Sequence, residues 1–310
     1  MDTLIQIAIL TGFLLLGMAF AKIKLVPKPA WIEVFIQVVL WMLLFSMGYK
    51  LGMNRDLFAK AGEMTLIALF ISLLSVAGTI GVIVILYLIR QGVHNSYSES
   101  RNESVQPLSI EHFKGPLVLI CIVLAGVAGG LFVSLPILEL LSYNTTVLLY
   151  VLLFFIGIQL NRSGHSISSA LLRFETILIP LGTIIGTMLA GIIAGLLFNI
   201  GIGKGLALSC GFGWYSLSGV LISAMGDELL GMTAFIANMF RESFALILIP
   251  VLAHTRFPYT AIGVGGATAM DVTLPLIEQR LGVDAVPVSF ASGAVLSMLV
   301  PVLVPFFFKL

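Results

Sequence analysis

Charged residues are scarce in this sequence. Asp, Glu, Lys and Arg make up only 10% of its 310 residues, whereas 59% are hydrophobic, and the formal net charge is +1. Such a chain has no basic patch with which to bind a polyanion, so we expect no nucleic-acid partner. The longest polar stretch, 90–115, is only a connection. The composition therefore predicts an all-α polytopic membrane protein whose surroundings are the lipid bilayer.

Cysteine and histidine are also few. Cys121 and Cys210 both lie inside apolar runs, where a cysteine is typically a small buried hydrophobe. Their positions match no disulfide framework and no zinc motif. The four histidines all lie in polar connections, so no deep metal cluster and no imidazole proton relay is visible. We therefore expect no metal and no organic cofactor.

Ten apolar runs are separated by short polar connections. The first residues carry no basic region of the kind that precedes a cleaved signal, so we expect the first run to be retained as a membrane helix. The ten runs are 3–21, 31–52, 64–89, 116–135, 144–160, 176–200, 205–225, 229–253, 260–281 and 284–308.

The basic residues predict the orientation of these runs. They concentrate in the connections after the first, third and fifth runs, which places those connections in the cytoplasm and both termini in the periplasm. Strict alternation would then put Arg256 outside, against this trend. The conflict disappears if 205–225 re-enters from the outer face and 260–281 from the cytoplasmic face. About eight transmembrane helices and two oppositely oriented broken or re-entrant segments result, with ten full crossings as the alternative.

The two segments assigned as re-entrant are rich in helix breakers. The stretch 209–219 reads SCGFGWYSLSG, and 263–275 reads GVGGATAMDVTLP. Each glycine in a helix interior costs roughly 1 kcal/mol, and Pro275 removes a backbone donor. Backbone freed in this way is tolerated at membrane depth only where protein or a wet cavity satisfies it. Broken segments beside ionisable residues therefore predict a binding site.

Internal repeats predict how the chain is organised. The pattern LLFxxGxxL at 43–51 recurs 109 positions later, and parts of 231–252 recur at an offset of 51. Because the first copy has three spans, an odd number, the second copy begins on the other side of the membrane and is inverted. We predict a scaffold part, 1–200, with six helices in an inverted three-helix repeat, and a transport part, 201–310, with a repeat of hairpin plus helix. Both belong to one integral membrane unit.

Two acids and their neighbours are the first candidates for the site. Asp271 lies in the second broken segment, where an ionised carboxylate costs a few kcal/mol unless a cation or water meets it. Its alternative role is to cap a half-helix. Glu242 follows Arg241 in the run 229–253, and the two point about 100° apart. Glu242 can therefore face the site with Asn238, four residues away, while Arg241 pairs with another acid or a substrate carboxylate. The alternative is a buried structural ion pair.

The opened backbone supplies further candidates. Its amides and carbonyls, with nearby hydroxyl and aromatic groups, could bind a small zwitterion, although glycine and serine also allow close helix packing. Glu33 with Gln37, and Gln159 with Asn161, are more typical of helix ends at the interface. The candidates for the substrate pocket are Gly211, Gly213, Trp214, Tyr215, Ser216, Ser218, Thr268 and Thr273.

These motifs resemble those of the LysO-type lysine exporters of bacterial inner membranes. The stretch 209–219 is similar to the family's SGFGWYSLSG, with Cys210 as an extra residue. Arg241 and Glu242, followed by Leu-Ile-Pro at 248–250, resemble its RE…LIP helix. The stretch 266–275 resembles GATSMDFTLP, with differences at Ala269 and Val272, and Phe240 is a further departure. The resemblance covers most of the chain.

The resemblance implies export of L-lysine, and of analogues such as thialysine, from cytoplasm to periplasm. It also implies eight spans, with both termini outside, and places the family's essential acids on Glu242 and Asp271. We hypothesise a secondary exporter in which these acids alternately hold protons and lysine. Sodium coupling and a homo-oligomeric state stay open. The protein is not expected to be an enzyme.

Other functions fit parts of the same pattern. A cation/proton antiporter without amino-acid specificity, or an exporter of another small cationic solute, would use the same buried acids. A passive channel would carry flux without a counter-ion. An intramembrane hydrolase is disfavoured, because SLSG at 216–219 lacks the preceding glycine of G-x-S-G and no histidine lies deep in a run.

Overall fold

The described part of the chain is helical. The basic connections on which the orientation depends, at 22–28, 92–110 and 163–172, lie outside it. Within it there is no strand, which confirms the predicted all-α class. The computed structural model describes residues 3–21, 29–53, 55–91, 111–132, 145–162 and 173–310.

Six long helices correspond to the first six apolar runs. The third, α3, has 37 residues and extends beyond its run at the N-terminal end, where charged residues continue the helix. Pro180 lies inside the sixth, α6, which continues through it. The bounds are α1 Thr3–Phe20, α2 Pro29–Met53, α3 Arg55–Gln91, α4 Glu111–Phe132, α5 Thr145–Arg162 and α6 Glu175–Leu197.

The second part of the chain alternates short and long helices. The run 205–225 is split into two short helices, and 260–281 into two more that are joined by a 3₁₀ turn. The bounds are α7 Ile202–Ser209, α8 Tyr215–Ala224, α9 Glu228–Leu252, α10 Thr260–Gly265, α11 Leu274–Leu281 and α12 Val286–Phe308, with 3₁₀ turns at Gly266–Met270 and Val283–Ala285.

Several helices are long and apolar enough to cross a bilayer. Five qualify by length and hydropathy within the described residues, and shorter apolar stretches lie in α1, α4 and α5. These helices confirm a multi-pass membrane protein, whereas the number of crossings stays a prediction. The five are Trp31–Met53, Gly62–Ile89, Glu175–Leu197, Glu228–Leu252 and Val283–Phe308.

Glycines bring the long helices together in pairs. A side chain on Gly48 would meet the backbone of Val123, and one on Gly52 would meet that of Val127, so α2 and α4 run in the same direction. The pair α1 and α5 is also parallel, because the ring of Phe13 stacks on Tyr150 while Asn161 donates to the Met18 carbonyl. Small residues allow this close approach of backbones in membranes.

The pairing of α3 with α6 is antiparallel. A side chain on Gly78 would meet the backbone of Gly186, whereas one on Gly182 would meet Ile83. In an inverted repeat, α1, α2 and α3 correspond to α4, α5 and α6. The pair α1–α5 then corresponds to the pair α4–α2, and the pair α3–α6 corresponds to itself. An inverted three-helix repeat requires this pattern. The division into a scaffold part and a transport part stays a prediction.

The first broken segment begins and ends at one end of the bundle. Lys204, near the start of α7, forms an ion pair with Asp227, just after α8, with 3.2 Å between Nζ and Oδ2. Glu228 in turn pairs with Lys50 near the end of α2, at 3.5 Å. We call this end of the molecule the Lys50 end.

The second broken segment begins and ends at the opposite end. Before α10, the ring of Phe257 stacks on Tyr87 near the end of α3, with 5.8 Å between centroids. After α11, the Asp284 carbonyl accepts a hydrogen bond of 2.9 Å from Arg173, which precedes α6. We call this end the Tyr87 end. The helices α6, α9 and α12 connect the two ends.

Candidate functional site

The tips of the two broken segments meet inside the bundle. The Ala267 amide donates a hydrogen bond of 2.9 Å to the Phe212 carbonyl. Three residues at these tips have positive φ: Phe212 at 50°, Gly213 at 93° and Gly266 at 63°. Left-handed backbone turns the chain sharply, and only glycine adopts it without strain. The glycines of the two motifs therefore build a contact between unwound backbones.

Gly266 has no room for a side chain, and we expect Gly266→Ala to separate the tips. A Cβ there would overlap the Phe212 carbonyl oxygen as well as requiring positive φ. Gly282→Ala is the matched control, because Gly282 has φ 85° with nothing within 4 Å of the added atom. The control should lose about 1–3 kcal/mol, the cost of its positive-φ backbone alone. Thermal unfolding in detergent should show a larger loss for Gly266→Ala, and equal losses would contradict this packing.

Asn238 of α9 lies between the two arms of the first broken segment. Its Oδ1 accepts from the Gly213 amide at 2.9 Å, and its Nδ2 donates to the Leu208 carbonyl at 3.0 Å. Nδ2 also lies 3.2 Å from Ser218 Oγ and 2.9 Å from the Ala234 carbonyl. The side chain is buried and its polar atoms bind protein atoms. Asn238 therefore stabilises the break in the helix, and the structure does not place it at an open pocket.

Arg241 connects the long helices to the tips. It is 1% exposed. Its Nη1 donates to Thr187 of α6 at 3.1 Å, and its Nη2 lies 3.5 Å from Thr79 of α3. The guanidinium lies 6.0 Å from the centre of the Phe212 ring, within cation–π range. The predicted acidic partner is not observed, since no carboxylate of a described residue pairs with it. Its Nε has no hydrogen-bond partner.

Glu242 is the other deeply buried ionisable group on α9. It is 1% exposed, and neither carboxylate oxygen has a hydrogen-bond partner. It lies near enough to Asp271 for the two charges to interact. An ionised carboxylate that is buried and unpaired is costly, so a proton or a cation has to accompany the charge.

Asp271 lies at the tip of the second broken segment and faces an open space. It follows the 3₁₀ turn directly, and its Oδ1 accepts from the Val272 amide at 2.6 Å. The carboxylate is exposed to a cavity of about 150 Å³ between α2, α5, α8 and α12. The cavity has room for several water molecules. Its lining is Ile36, Leu40, Leu152, Ile156, Gln159, Trp214, Ser216, Leu217, Met270, Asp271 and Phe290.

Only some of the predicted pocket residues reach this cavity. Trp214 and Ser216, at the start of α8, line it together with Asp271. Tyr215 is buried, with its ring edge-on to Phe235 at 5.5 Å. Glu242 and Arg241 do not line the cavity. Of the two acids, Asp271 is therefore open to the cavity and Glu242 is not.

The remaining candidates support the tips. Thr268 Oγ1 donates to the Gly265 carbonyl at 2.8 Å, which closes the 3₁₀ turn. Ser218 Oγ lies 3.3 Å from the Tyr215 carbonyl, within α8. The Thr273 hydroxyl is buried and has no hydrogen-bond partner. Gly211 lies against Asn238, so any side chain there would overlap its amide.

The sequence prediction missed the contribution of α2 and α5. Their apolar residues form one wall of the cavity, and Gln159 lines it, although its position predicted an interface role. The available sequence signal was the polar side chain of Gln159 within an apolar run. It did not distinguish lipid headgroups from an internal cavity.

Comparisons with known proteins agree on one family. The family model for lysine exporter LysO matches residues 11–99 and 120–308. The lysine exporter LysO of Escherichia coli K12 is 30% identical over 304 residues, which cover 96% of this chain and 99% of that protein. A putative lysine exporter of Haemophilus influenzae is 36% identical over 159 residues, 51% of this chain and 81% of that protein. No solved structure matches the chain. On the strength of these matches, the chain belongs to the LysO family of lysine exporters.

Proposed function

We propose that this protein exports L-lysine across the bacterial inner membrane. The observation that carries the proposal is Asp271, a carboxylate that faces a cavity at the meeting point of two broken helices, in a chain of this family. Discontinuous helices at the middle of the membrane form the substrate sites of many secondary transporters. The same site would accept close analogues of lysine such as thialysine.

Lysine has groups that match the two sides of the cavity. Its side-chain ammonium would pair with the Asp271 carboxylate by a charge-assisted hydrogen bond. Its α-carboxylate would bind at the start of α8, where Trp214 and Ser216 line the cavity. The free amides of a helix N-terminus and the helix dipole favour an anion there. Neutral amino acids would lack the first of these contacts.

Coupling to protons would follow from the pair of acids. Glu242 has no hydrogen-bond partner for either oxygen and interacts electrostatically with Asp271, so the two cannot both carry a charge cheaply. A proton moving inward and lysine moving outward would then alternate on the two acids. Sodium is the alternative coupling ion, and it would need oxygen ligands at the same place.

We also propose eight crossings and two re-entrant hairpins. The support is that each broken segment has both its ends at one end of the bundle, as the Lys204–Asp227 pair and the Arg173–Asp284 bond indicate. The basic connections would place the Tyr87 end in the cytoplasm and the Lys50 end in the periplasm.

Thiol labelling distinguishes this topology from ten full crossings. Gly226→Cys and His254→Cys, each in a chain without Cys121, place a thiol at exposed positions after α8 and α9. An impermeant reagent added to whole cells should label position 226 and leave 254 unlabelled. Ten crossings would reverse the two results.

Transport in proteoliposomes tests the proposed function. Purified protein should exchange labelled lysine for unlabelled lysine, and unlabelled neutral amino acids or sodium should fail to replace it. A pH gradient should drive net lysine movement and dissipate as lysine moves. Proton flux with sodium alone would instead indicate a cation/proton antiporter, and lysine flux without counter-ion dependence would indicate a channel.

A further inference from the structure

Glu33 of α2 is exposed, although it lies on the face of that helix that is turned toward the protein. Leu44, Met47 and Leu51 follow it at spacings of 11, 14 and 18 residues, which places all four on one helix face. Those three leucine and methionine side chains are buried against other helices. Glu33 is thus an exposed residue that continues this face toward the Tyr87 end of α2.

The lipid-facing side of α2 is elsewhere on the helix. Trp31 and Met42 are large, apolar and exposed, and helical periodicity places them about 160–180° around the helix from Glu33. Trp31 alone is 71% exposed. An ionised glutamate beside Trp31 and Met42 would face hydrocarbon, whereas Glu33 lies on the other side of the helix from these two.

The lining of the cavity that holds Asp271 begins within one helical turn of Glu33. Ile36 and Leu40 line it from α2, and they follow Glu33 by three and seven residues on the same helix face. At 1.5 Å per residue, Glu33 lies about 4.5 Å along the helix from the level of Ile36 and about 10 Å from that of Leu40. This offset is comparable to the Debye length of roughly 8–10 Å at moderate salt.

Gln159 of α5 lies at the same level. The rings of Phe35 and Phe155 are in contact, with 4.5 Å between centroids, which aligns α2 with α5 at this point. Glu33 lies two residues before Phe35, and Gln159 lies four residues after Phe155, toward the Tyr87 end of both helices. Gln159 lines the cavity. Both polar residues therefore lie on the Tyr87 side of the apolar cavity walls, and a mouth at that end would pass between them.

We propose that Glu33 is a positioning residue that, with Gln159, selects cationic amino acids at the mouth of the cavity before they reach Asp271. This inference rests on the proposed function. A single carboxylate between low-dielectric walls raises the local concentration of a cation more than it would in open water. A lysine ammonium gains from that field, and a neutral amino acid does not. The charge of Glu33 therefore favours entry of the substrate into the cavity and does not affect its release.

The test separates arrival from turnover. Membrane vesicles or proteoliposomes that present the Tyr87 end to added lysine are used to measure KM and the maximal rate. Glu33→Gln should raise KM about fivefold and leave the maximal rate within about twofold, a modest case of electrostatic focusing. The difference should shrink at about 0.5 M salt, where the field is screened. Glu33→Asp keeps the charge and should keep the low KM.

Glu63→Gln is the matched control. Glu63 is an exposed glutamate near the start of α3, toward the Lys50 end, so its replacement removes the same charge far from the mouth. It should leave KM unchanged. An unchanged KM in Glu33→Gln, or an equal rise in Glu63→Gln, would overturn the inference. A loss of maximal rate in both Glu33→Gln and Glu33→Asp would show a structural role and would also overturn it.

Failure of the proposed function would look different. The unmodified protein is measured first, and if it does not transport lysine, the proposed function itself fails. If it does transport lysine and Glu33→Gln behaves in the same way, only the role of Glu33 is wrong. Inhibition of lysine transport by neutral amino acids is a further measurement. Because Glu33 would favour only cations, this inhibition should be no weaker in Glu33→Gln than in the unmodified protein.

Discussion

Asp271→Asn is expected to abolish lysine efflux in a protein that still folds and inserts. Among the residues that line the cavity, Asp271 is the acidic one. The backbone hydrogen bonds of Asp271 do not depend on the charge of its side chain. Asparagine has nearly the same shape and keeps the acceptor oxygen for the Val272 amide. It loses the charge that pairs with an ammonium. A charge-assisted hydrogen bond contributes about 1.5–3 kcal/mol, so binding should weaken about 10- to 150-fold. Asparagine also cannot take up or release a proton, so the proposed exchange of a proton for lysine is lost and efflux should stop.

The control for this substitution is Asp284→Asn. Asp284 is also exposed, lies shortly after α11, and contacts Arg173 through its backbone carbonyl, which the substitution leaves in place. Lysine efflux from loaded cells should continue in Asp284→Asn and stop in Asp271→Asn, at equal amounts of protein in the membrane. Full efflux in Asp271→Asn would remove this carboxylate from the transport mechanism.

The sequence was sufficient to predict the helices and the places where they break. Apolar runs such as 176–200 became helices such as Glu175–Leu197, because length and hydropathy decide what can cross a bilayer. The breaks were predictable from chemistry that acts locally. Glycines clustered at 211 and 213 weaken a helix interior, and Pro275 lies in the first turn of α11, where its missing amide is tolerated.

Contacts between distant elements could not be predicted in this way. The hydrogen bond from Ala267 to Phe212 joins residues 55 positions apart, and it depends on two tips entering from opposite ends. The sequence predicted an acidic residue or a substrate carboxylate as the partner of Arg241, and within the protein its observed partners are the hydroxyls of Thr79 and Thr187. A threonine in an apolar run looks like any small helix residue. Its hydroxyl becomes informative only when the packing of α3 on α6 directs it at a buried cation.

Only part of the site was predicted, because the sequence does not show which elements pack together. Asp271 was identified because any carboxylate in an apolar, broken segment requires a partner. Asn238 shares its helix face with Glu242, which suggested a common pocket, yet the amide is used to hold the arms of the first broken segment. Helical spacing reports that two residues share a face. It does not report whether that face meets water or another helix.

Glu242→Gln is expected to separate lysine exchange from proton-driven export. Glutamine resembles the protonated form of the acid in shape and charge, and it cannot release a proton. Both oxygens of Glu242 lack hydrogen-bond partners, so the substitution breaks no bond within the described structure. The variant should therefore fold, keep Asp271 at the cavity and bind lysine. It should lose the step in which the proton changes places with the substrate.

Two measurements in proteoliposomes test this separation. Exchange of labelled for unlabelled lysine without a gradient should stay within about threefold of the unmodified protein, whereas lysine movement driven by a pH gradient should fall at least about tenfold, roughly 1.4 kcal/mol of lost coupling. Glu278→Gln, a change at an exposed glutamate of α11, should affect neither. Gradient-driven movement that survives in Glu242→Gln would leave Asp271 as the sole proton carrier. Loss of exchange together with coupling would instead assign Glu242 to lysine binding, and the buried carboxylate would then have to become exposed to the cavity during transport.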